Sequence, residues 1–213
     1  MKIAVVGATG WIGGTVVREA LARDHDVTAV VRDPSRLELE HDRLSVARGD
    51  VEDPAGLADA LAGHDAVVVS VSGRKEGKHS LVPAAAGTVL AALPQAGVKR
   101  LVWVGGAGSL EGAAGVRLVD TPEFPDAYKP EALAQAEALA VFRAADGDVD
   151  WTYLSPAAVL VPGERRGTYR TGGDQVVADE NGQSTISADD YAAALMDEVE
   201  HPAHVRQRFT VAY

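Results

Sequence analysis

Glycines 7, 10 and 13 punctuate the stretch Val5-Val6-Gly7-Ala8-Thr9-Gly10-Trp11-Ile12-Gly13, where an apolar run gives way to a segment of helical periodicity. A strand, a glycine turn and a helix in that order leave main-chain N–H groups free at the positive end of a helix dipole, which suits a diphosphate. Gly7 permits the sharp turn, Gly10 lets phosphates approach the backbone, and Gly13 allows the helix to pack close. Thr9, Trp11 and Ile12 fall within the same phosphate-binding turn. The second apolar run ends Ala29-Val30-Val31-Arg32-Asp33-Pro34-Ser35-Arg36. At this place an acidic side chain would accept from a free ribose 2′-hydroxyl, whereas an arginine pairs with a 2′-phosphate. Arg32 holds the discriminating position and Arg36 can reach the same phosphate from the next turn. NADP(H) is therefore the expected cofactor and NAD(H) the less favoured one. Asp33 is the alternative, because a rotated turn would present it to the ribose.

Other chemistries lack their residues. The chain has no cysteine, which removes disulfides, thiolate catalysis and cysteine-ligated metal sites. Histidines 25, 41, 64, 79, 201 and 204 have no HExxH or similar spacing, so no metal is expected. Neither a GxSxG nucleophile elbow nor a GxxxxGK[ST] phosphate loop occurs. Glu111 and Asp120 have no spacing that marks a paired-carboxylate hydrolase.

The elements that must position these residues follow from the apolar pattern. Runs at 2–6, 26–31, 43–47, 66–69, 100–104 and 150–154 alternate with helix-patterned segments at 11–23, 54–62, 81–96 and 130–144. This alternation predicts βαβ units on a parallel sheet, with right-handed crossovers. Several runs are rich in valine without polar alternation, as strands covered on both faces should be. In the first helix Ile12, Val16 and Ala20 repeat at intervals of four beside Val17 and Leu21, which gives one apolar face. Beyond residue 156, Gly163, Gly167, Gly172-Gly173 and Asn181-Gly182 break the chain into short segments. Ser187 and Asp190 then suggest a capping box for a helix striped by Tyr191, Leu195 and Val199, with a last strand over 206–212. The predicted fold is α/β, a doubly wound parallel sheet of the Rossmann type with a small C-terminal substrate cap. Residues 1–213 form one domain, 1–155 being the nucleotide-binding core and 156–213 the cap and closing elements.

Composition is consistent with such a domain: 213 residues, 46% hydrophobic and 24% charged, with a mean hydropathy of −0.02. A formal charge of −11 repels a phosphate polymer, and adjacent basic residues occur only as isolated pairs, among them Lys99-Arg100 and Arg165-Arg166. The expected partner is a small-molecule substrate, with no nucleic acid and no membrane, for a monomer or homodimer. Lys2 leads straight into the first strand without signal-peptide order, which predicts a cytoplasmic location.

GATGWIG, VVRDPSRL, Gly49-Asp50-Val51 after the third run and Lys99-Arg100-Leu101-Val102-Trp103-Val104-Gly105 on the fifth together resemble the atypical short-chain dehydrogenase/reductases. The similarity is to the NAD(P)H-binding, NmrA-like group that includes biliverdin reductase B/flavin reductase, and it extends over essentially the whole chain. It implies that Asp50 and Val51 flank the adenine, that Ser70, Val71 and Ser72 line the ribose and phosphate path, and that Val104 and Gly105 lie by the nicotinamide.

The wider short-chain dehydrogenase family places a lysine one helical turn after a tyrosine, and the ammonium lowers the phenol pKa for proton exchange with a carbonyl. Here Tyr128-Lys129-Pro130-Glu131-Ala132 occupies that place, with Ala132 four after Tyr128 and Leu133 four after Lys129. Tyr128 and Lys129 remain catalytic candidates as the start of a helix near the reactive end, and Ser109 is the third. Gly105-Gly106-Ala107-Gly108 is expected to leave room for a planar substrate. The expected substrate wall is Ser72-Gly73-Arg74-Lys75, 110–116, Phe124 and 156–160, with Lys75, Lys78 and His79 able to recruit an anion. A flavin or quinone needs only a positioned hydride, and solvent supplies the proton. The expectation is an NADPH-dependent oxidoreductase acting on such an acceptor. An NADP(H)-binding redox sensor without turnover and a cofactor-retaining isomerase or epimerase are the alternatives.

Overall fold

The computed structural model describes residues 1–112 and 115–213. Its elements are β1 (Lys2–Val6), α1 (Trp11–Ala22), β2 (Asp26–Val31), β3 (Leu44–Arg48), α2 (Pro54–Leu61), β4 (Ala66–Val69), α3 (Leu81–Ala96), β5 (Arg100–Val104), α4 (Lys129–Arg143), β6 (Asp150–Ser155), β7 (Val159–Val161), β8 (Arg170–Gly172), β9 (Thr185–Ser187), α5 (Ala188–Glu200) and β10 (Gln207–Ala212). Among the described residues one sheet runs β3-β2-β1-β4-β5-β6-β10-β8, and β7 and β9 form a separate pair. All pairings in the large sheet are parallel except that of β10 with β8. Strand order reverses between β1 and β4, and the crevice at the carboxyl ends of those strands is where a doubly wound sheet takes its ligand.

The period-two geometry of a strand divides each apolar run between two cores. Ile3 and Val5 face one core with Val16, Val17, Tyr191 and Leu195, so α1 and α5 cover that side. Ala4 and Val6 face the other with Leu57, Val82, Val89 and Leu139, from α2, α3 and α4. Burial on both faces explains why β4 is an unbroken Ala66-Val67-Val68-Val69 with no polar residue. Two of the helices, α2 and α5, begin at a side-chain cap. Asp53 accepts from Gly56 N ahead of Pro54, and Ser187 accepts from Asp190 N. Gly97, at φ 71°, closes α3.

The chain after β6 is divided in its allegiance. β10 inserts into the main sheet beside β6, and α5 joins α1 on one face. The β7–β9 pair is separate from that sheet, whereas β8, between them in the chain, joins its edge beside β10. No described helix is long and apolar enough to cross a membrane.

Candidate cofactor cleft and its surroundings

A cleft of about 310 Å³ opens at the strand-order reversal. The β1–α1 turn contributes Gly7, Thr9 and Gly10 to its wall, and β2 with the following turn contributes Arg32 and Arg36. Asp50 and Val51 enter from the end of β3, and Ser70, Val71 and Ser72 from the end of β4. Ten of the predicted cofactor residues thus come together from four separate strand ends.

Gly7 sits at φ 84°, and a Cβ there would stand 2.0 Å from the carbonyl oxygen of Ser70. A Cβ on Gly13 would be 2.2 Å from Gly7 O, so Gly13 lies behind the turn as the contact that lets α1 approach. Gly10 is the helix N-cap without a side-chain cap, and no acidic residue occupies the first turn of α1. The exposed N–H end is therefore left to a ligand anion. Trp11 and Ile12 belong to that first turn, with Trp11 half exposed. A backbone cradle that side chains would fill, next to an uncapped helix start, fits a dinucleotide diphosphate.

At the second strand end Arg32 and Asp33 take different partners. Asp33 Oδ1 accepts from Ser35 N at 3.1 Å and from Ser35 Oγ at 2.7 Å, capping the short turn Pro34–Arg36. Those bonds hold its carboxyl below the ordinary aspartate range. Arg32 lines the cleft instead, and its Nη2 donates to Glu76 Oε1 at 2.8 Å. This bond raises the guanidinium pKa and lowers that of the carboxyl.

The far end of the crevice differs from expectation. Gly105 to Gly108 do not open a space. A Cβ on Gly105 would lie 2.0 Å from the Tyr153 ring, on Gly106 3.0 Å from Gln135 Cβ, and on Gly108 2.7 Å from Ala132 Cβ. These glycines let β5 and its following loop press against β6 and α4, which is the opposite of leaving room. Val104 ends β5 and Gly105 follows it, both outside the cleft lining. Ser109 turns towards β10, within 3.4 Å of Arg208 Nη1. Tyr128 is half exposed with the Arg74 guanidinium 5.2 Å from its ring centroid, and Lys129 starts α4. Ser109 and Tyr128 thus have different side-chain partners, Arg208 and Arg74. Of the substrate wall, Ser72, Gly73, Arg74 and Lys75 line the cleft, while Leu110 and Ala157 are buried in the interior. Ala113 and Ala114, inside the expected 110–116 wall, lie outside the described residues.

Sequence reasoning passed over the polar inner face of α4. Glu131, nearly fully buried, accepts from Gly73 N at 3.2 Å and lies 2.7 Å from His79 Nδ1. One turn later Gln135 donates to Val71 O at 3.3 Å and accepts from Trp103 Nε1 at 3.3 Å. Tyr153 Oη donates to Gln135 O at 2.9 Å and accepts from Gly106 N at 3.1 Å. Burial pushes the Tyr153 phenol well above its ordinary value, so it serves as a neutral strut. Two polar residues four apart thus tie α4 to the ends of β4, β5 and β6. The i,i+4 spacing was the available signal, although on an isolated helix it reads as a solvated face.

Comparison with known proteins agrees with this architecture. A family model described as NAD(P)H-binding matches residues 7–202. A solved Burkholderia pseudomallei structure, provisionally described as an exported protein, is 46% identical at TM-score 0.90, covering 100% of both chains. A Bacteroides thetaiotaomicron protein, provisionally an epimerase, is 39% identical at TM-score 0.91, covering 100% of this chain and 96% of that one. A Streptococcus pneumoniae protein, provisionally an NADH-flavin reductase, is 35% identical at TM-score 0.87, covering 100% and 99%.

Proposed function

Because the chain belongs to the NAD(P)H-binding family, in the atypical NmrA-like group of short-chain dehydrogenase/reductases, we propose that it is an NADPH-dependent reductase of a small conjugated acceptor, flavin- or quinone-like. The observation that carries this reading is the pairing of the glycine turn with Arg32 in one cleft while Asp33 is spent on a cap. Gly7, Thr9 and Gly10 would hold the diphosphate, Arg32 and Arg36 the 2′-phosphate, and Asp50 and Val51 the adenine. Ser70, Val71 and Ser72 would guide the ribose towards the ends of β5 and β6. When bound, the nicotinamide supplies the hydride. The protein supplies alignment, since Ala132 stands where a tyrosine–lysine relay would need its lysine. An acceptor whose reduced ring takes its proton from water suits a site of this kind. The likeness to the Streptococcus pneumoniae protein supports the same acceptor class.

NADPH oxidation followed with a panel of flavins, quinones and simple ketones tests the reading. Turnover with ring acceptors and none with ketones is expected. Tight NADPH binding without turnover across the panel would favour a redox sensor instead. Arg32→Ala should weaken NADPH about tenfold or more relative to NADH, as loss of a charge-assisted phosphate contact implies. Equal losses for both coenzymes would contradict the 2′-phosphate assignment.

A further inference from the structure

We propose that Glu76 is a specificity-determining residue that competes with the adenosine 2′-phosphate for Arg32. The proposal rests on the NADPH reading of the cleft and adds to it the group that the phosphate must displace.

Arg32 follows β2, and Glu76 lies in the short helical turn Arg74–Glu76 after β4. β1 separates β2 from β4 in the sheet, so the Arg32–Glu76 bridge spans the mouth of the cleft. The second carboxylate oxygen of Glu76 is 3.6 Å from Lys78 Nζ. Both Arg32 and Glu76 line the cleft, as do Lys75 and Lys78. The turn carrying Glu76 is tightly made. A Cβ on Gly73 would be 2.3 Å from Lys78 O, and Gly77 closes the turn at φ 65°. Its base is held by the buried Glu131 carboxylate, through Gly73 N and His79. Glu76 is thus presented to Arg32 by a constrained loop.

The bridge itself is exchangeable. The side chains of Arg32 and Glu76 are 50% and 40% exposed, and ion pairs that wet contribute little to stability. A phosphate monoester carries roughly −1.5 to −2 charge and three acceptor oxygens, against one charge on a carboxylate, and so displaces it from a guanidinium. NADPH must break the Arg32–Glu76 contact and also meet the displaced charge nearby. NADH brings no phosphate to that corner and leaves the pair intact. Glu76 therefore opposes NADPH selectively and narrows the preference that Arg32 creates.

Calorimetric titration with NADPH and NADH of the wild type, Glu76→Gln, Arg32→Ala and the double variant reads this directly. Glu76→Gln is expected to tighten NADPH about three- to tenfold and to leave NADH within about twofold. In the Arg32→Ala background that gain should vanish. A gain that persists there would mean general charge repulsion and overturn the competition. A Glu76→Gln variant that binds NADPH no better also overturns it, as does one that weakens NADH, the mark of a carboxylate holding the ribose 2′-hydroxyl. If Arg32→Ala is selective for NADPH while Glu76→Gln is silent, the coenzyme assignment stands and this proposal alone falls. If Arg32→Ala weakens both coenzymes equally, both fall.

Discussion

The Tyr153 ring occupies the space that a side chain at Gly105 would need, 2.0 Å from where its Cβ would be. Tyr153 is fully buried and its hydroxyl joins Gly106 N to Gln135 O. Gly105→Ala must therefore push a strand end or an aromatic ring out of a packed core. Overpacking of this kind costs on the order of 1–3 kcal/mol, and a clash with a rigid, fully buried ring places the change at the upper end. A thermal melt should register the loss. An unchanged melting temperature would mean that the end of β5 is loosely packed, contrary to this geometry.

Arg100 and Glu198 make a buried ion pair at 2.9 Å, with side chains 9% and 3% exposed. Arg100 also donates to Thr152 Oγ1 at 2.8 Å and Asp150 O at 2.9 Å, and Glu198 Oε1 accepts from His204 N at 2.9 Å. Burial lowers the Arg100 pKa, and the neighbouring carboxylates only partly offset it. Glu198→Ala leaves that cation alone in the interior, which costs about 3–5 kcal/mol. Replacing both partners with apolar residues should cost much less. Chemical denaturation of the two single variants and the double completes the cycle, and additive losses would show that the two side chains are not coupled.

Much of this molecule was readable from pattern, for reasons specific to each element. β4 could be placed because burial on both faces leaves Ala66–Val69 without a polar residue, and α5 because Ser187 caps it three residues before Asp190. The glycine turn was readable because the chemistry there is main-chain and local. Contacts between residues remote in sequence were not. The Arg32–Glu76 bridge joins residues 44 apart, and Gly105 owes its identity to Tyr153 from the next strand. Glu131 and Gln135 look like surface residues until the sheet is folded against α4. The short β7, β8 and β9, three residues each, carry too little periodicity to be distinguished from turns.

Tyr128 is the catalytic candidate most open to a direct test. Its ring lies beneath the Arg74 guanidinium, and the residue is half exposed. Tyr128→Phe preserves that contact, and kcat should stay within about twofold. Tyr128→Ala removes the shelf under Arg74 and should raise KM for the acceptor. A fall in kcat of about a hundredfold in the phenylalanine variant is what loss of a general acid would give, and would return Tyr128 to the reaction.

Asp190 predicts where acid loosens the C-terminal segment. It is fully buried and accepts from Tyr213 Oη at 2.6 Å, Arg166 N at 2.8 Å and Gly167 N at 3.0 Å. Burial alone would raise its pKa, but these bonds and the Ser187 hydroxyl outweigh burial and hold it below the ordinary value of 3.8. A carboxyl whose pKa is lower folded than unfolded stabilises fully above the unfolded value. That contribution is lost as the pH falls through the lower, folded value. Asp190→Asn should therefore cost on the order of 2 kcal/mol at neutral pH. Below 3.8 the deficit relative to the wild type should shrink, because the unfolded wild-type chain then takes up a proton at this carboxyl that the folded protein resists until lower pH. Asp174, Asp197 and Glu200 are also held low and titrate in acid, so the difference between the two proteins isolates Asp190. Melting curves at neutral pH and near pH 3 measure that difference, and a gap that stays constant would show that Asp190 carries no charge-dependent part of the fold.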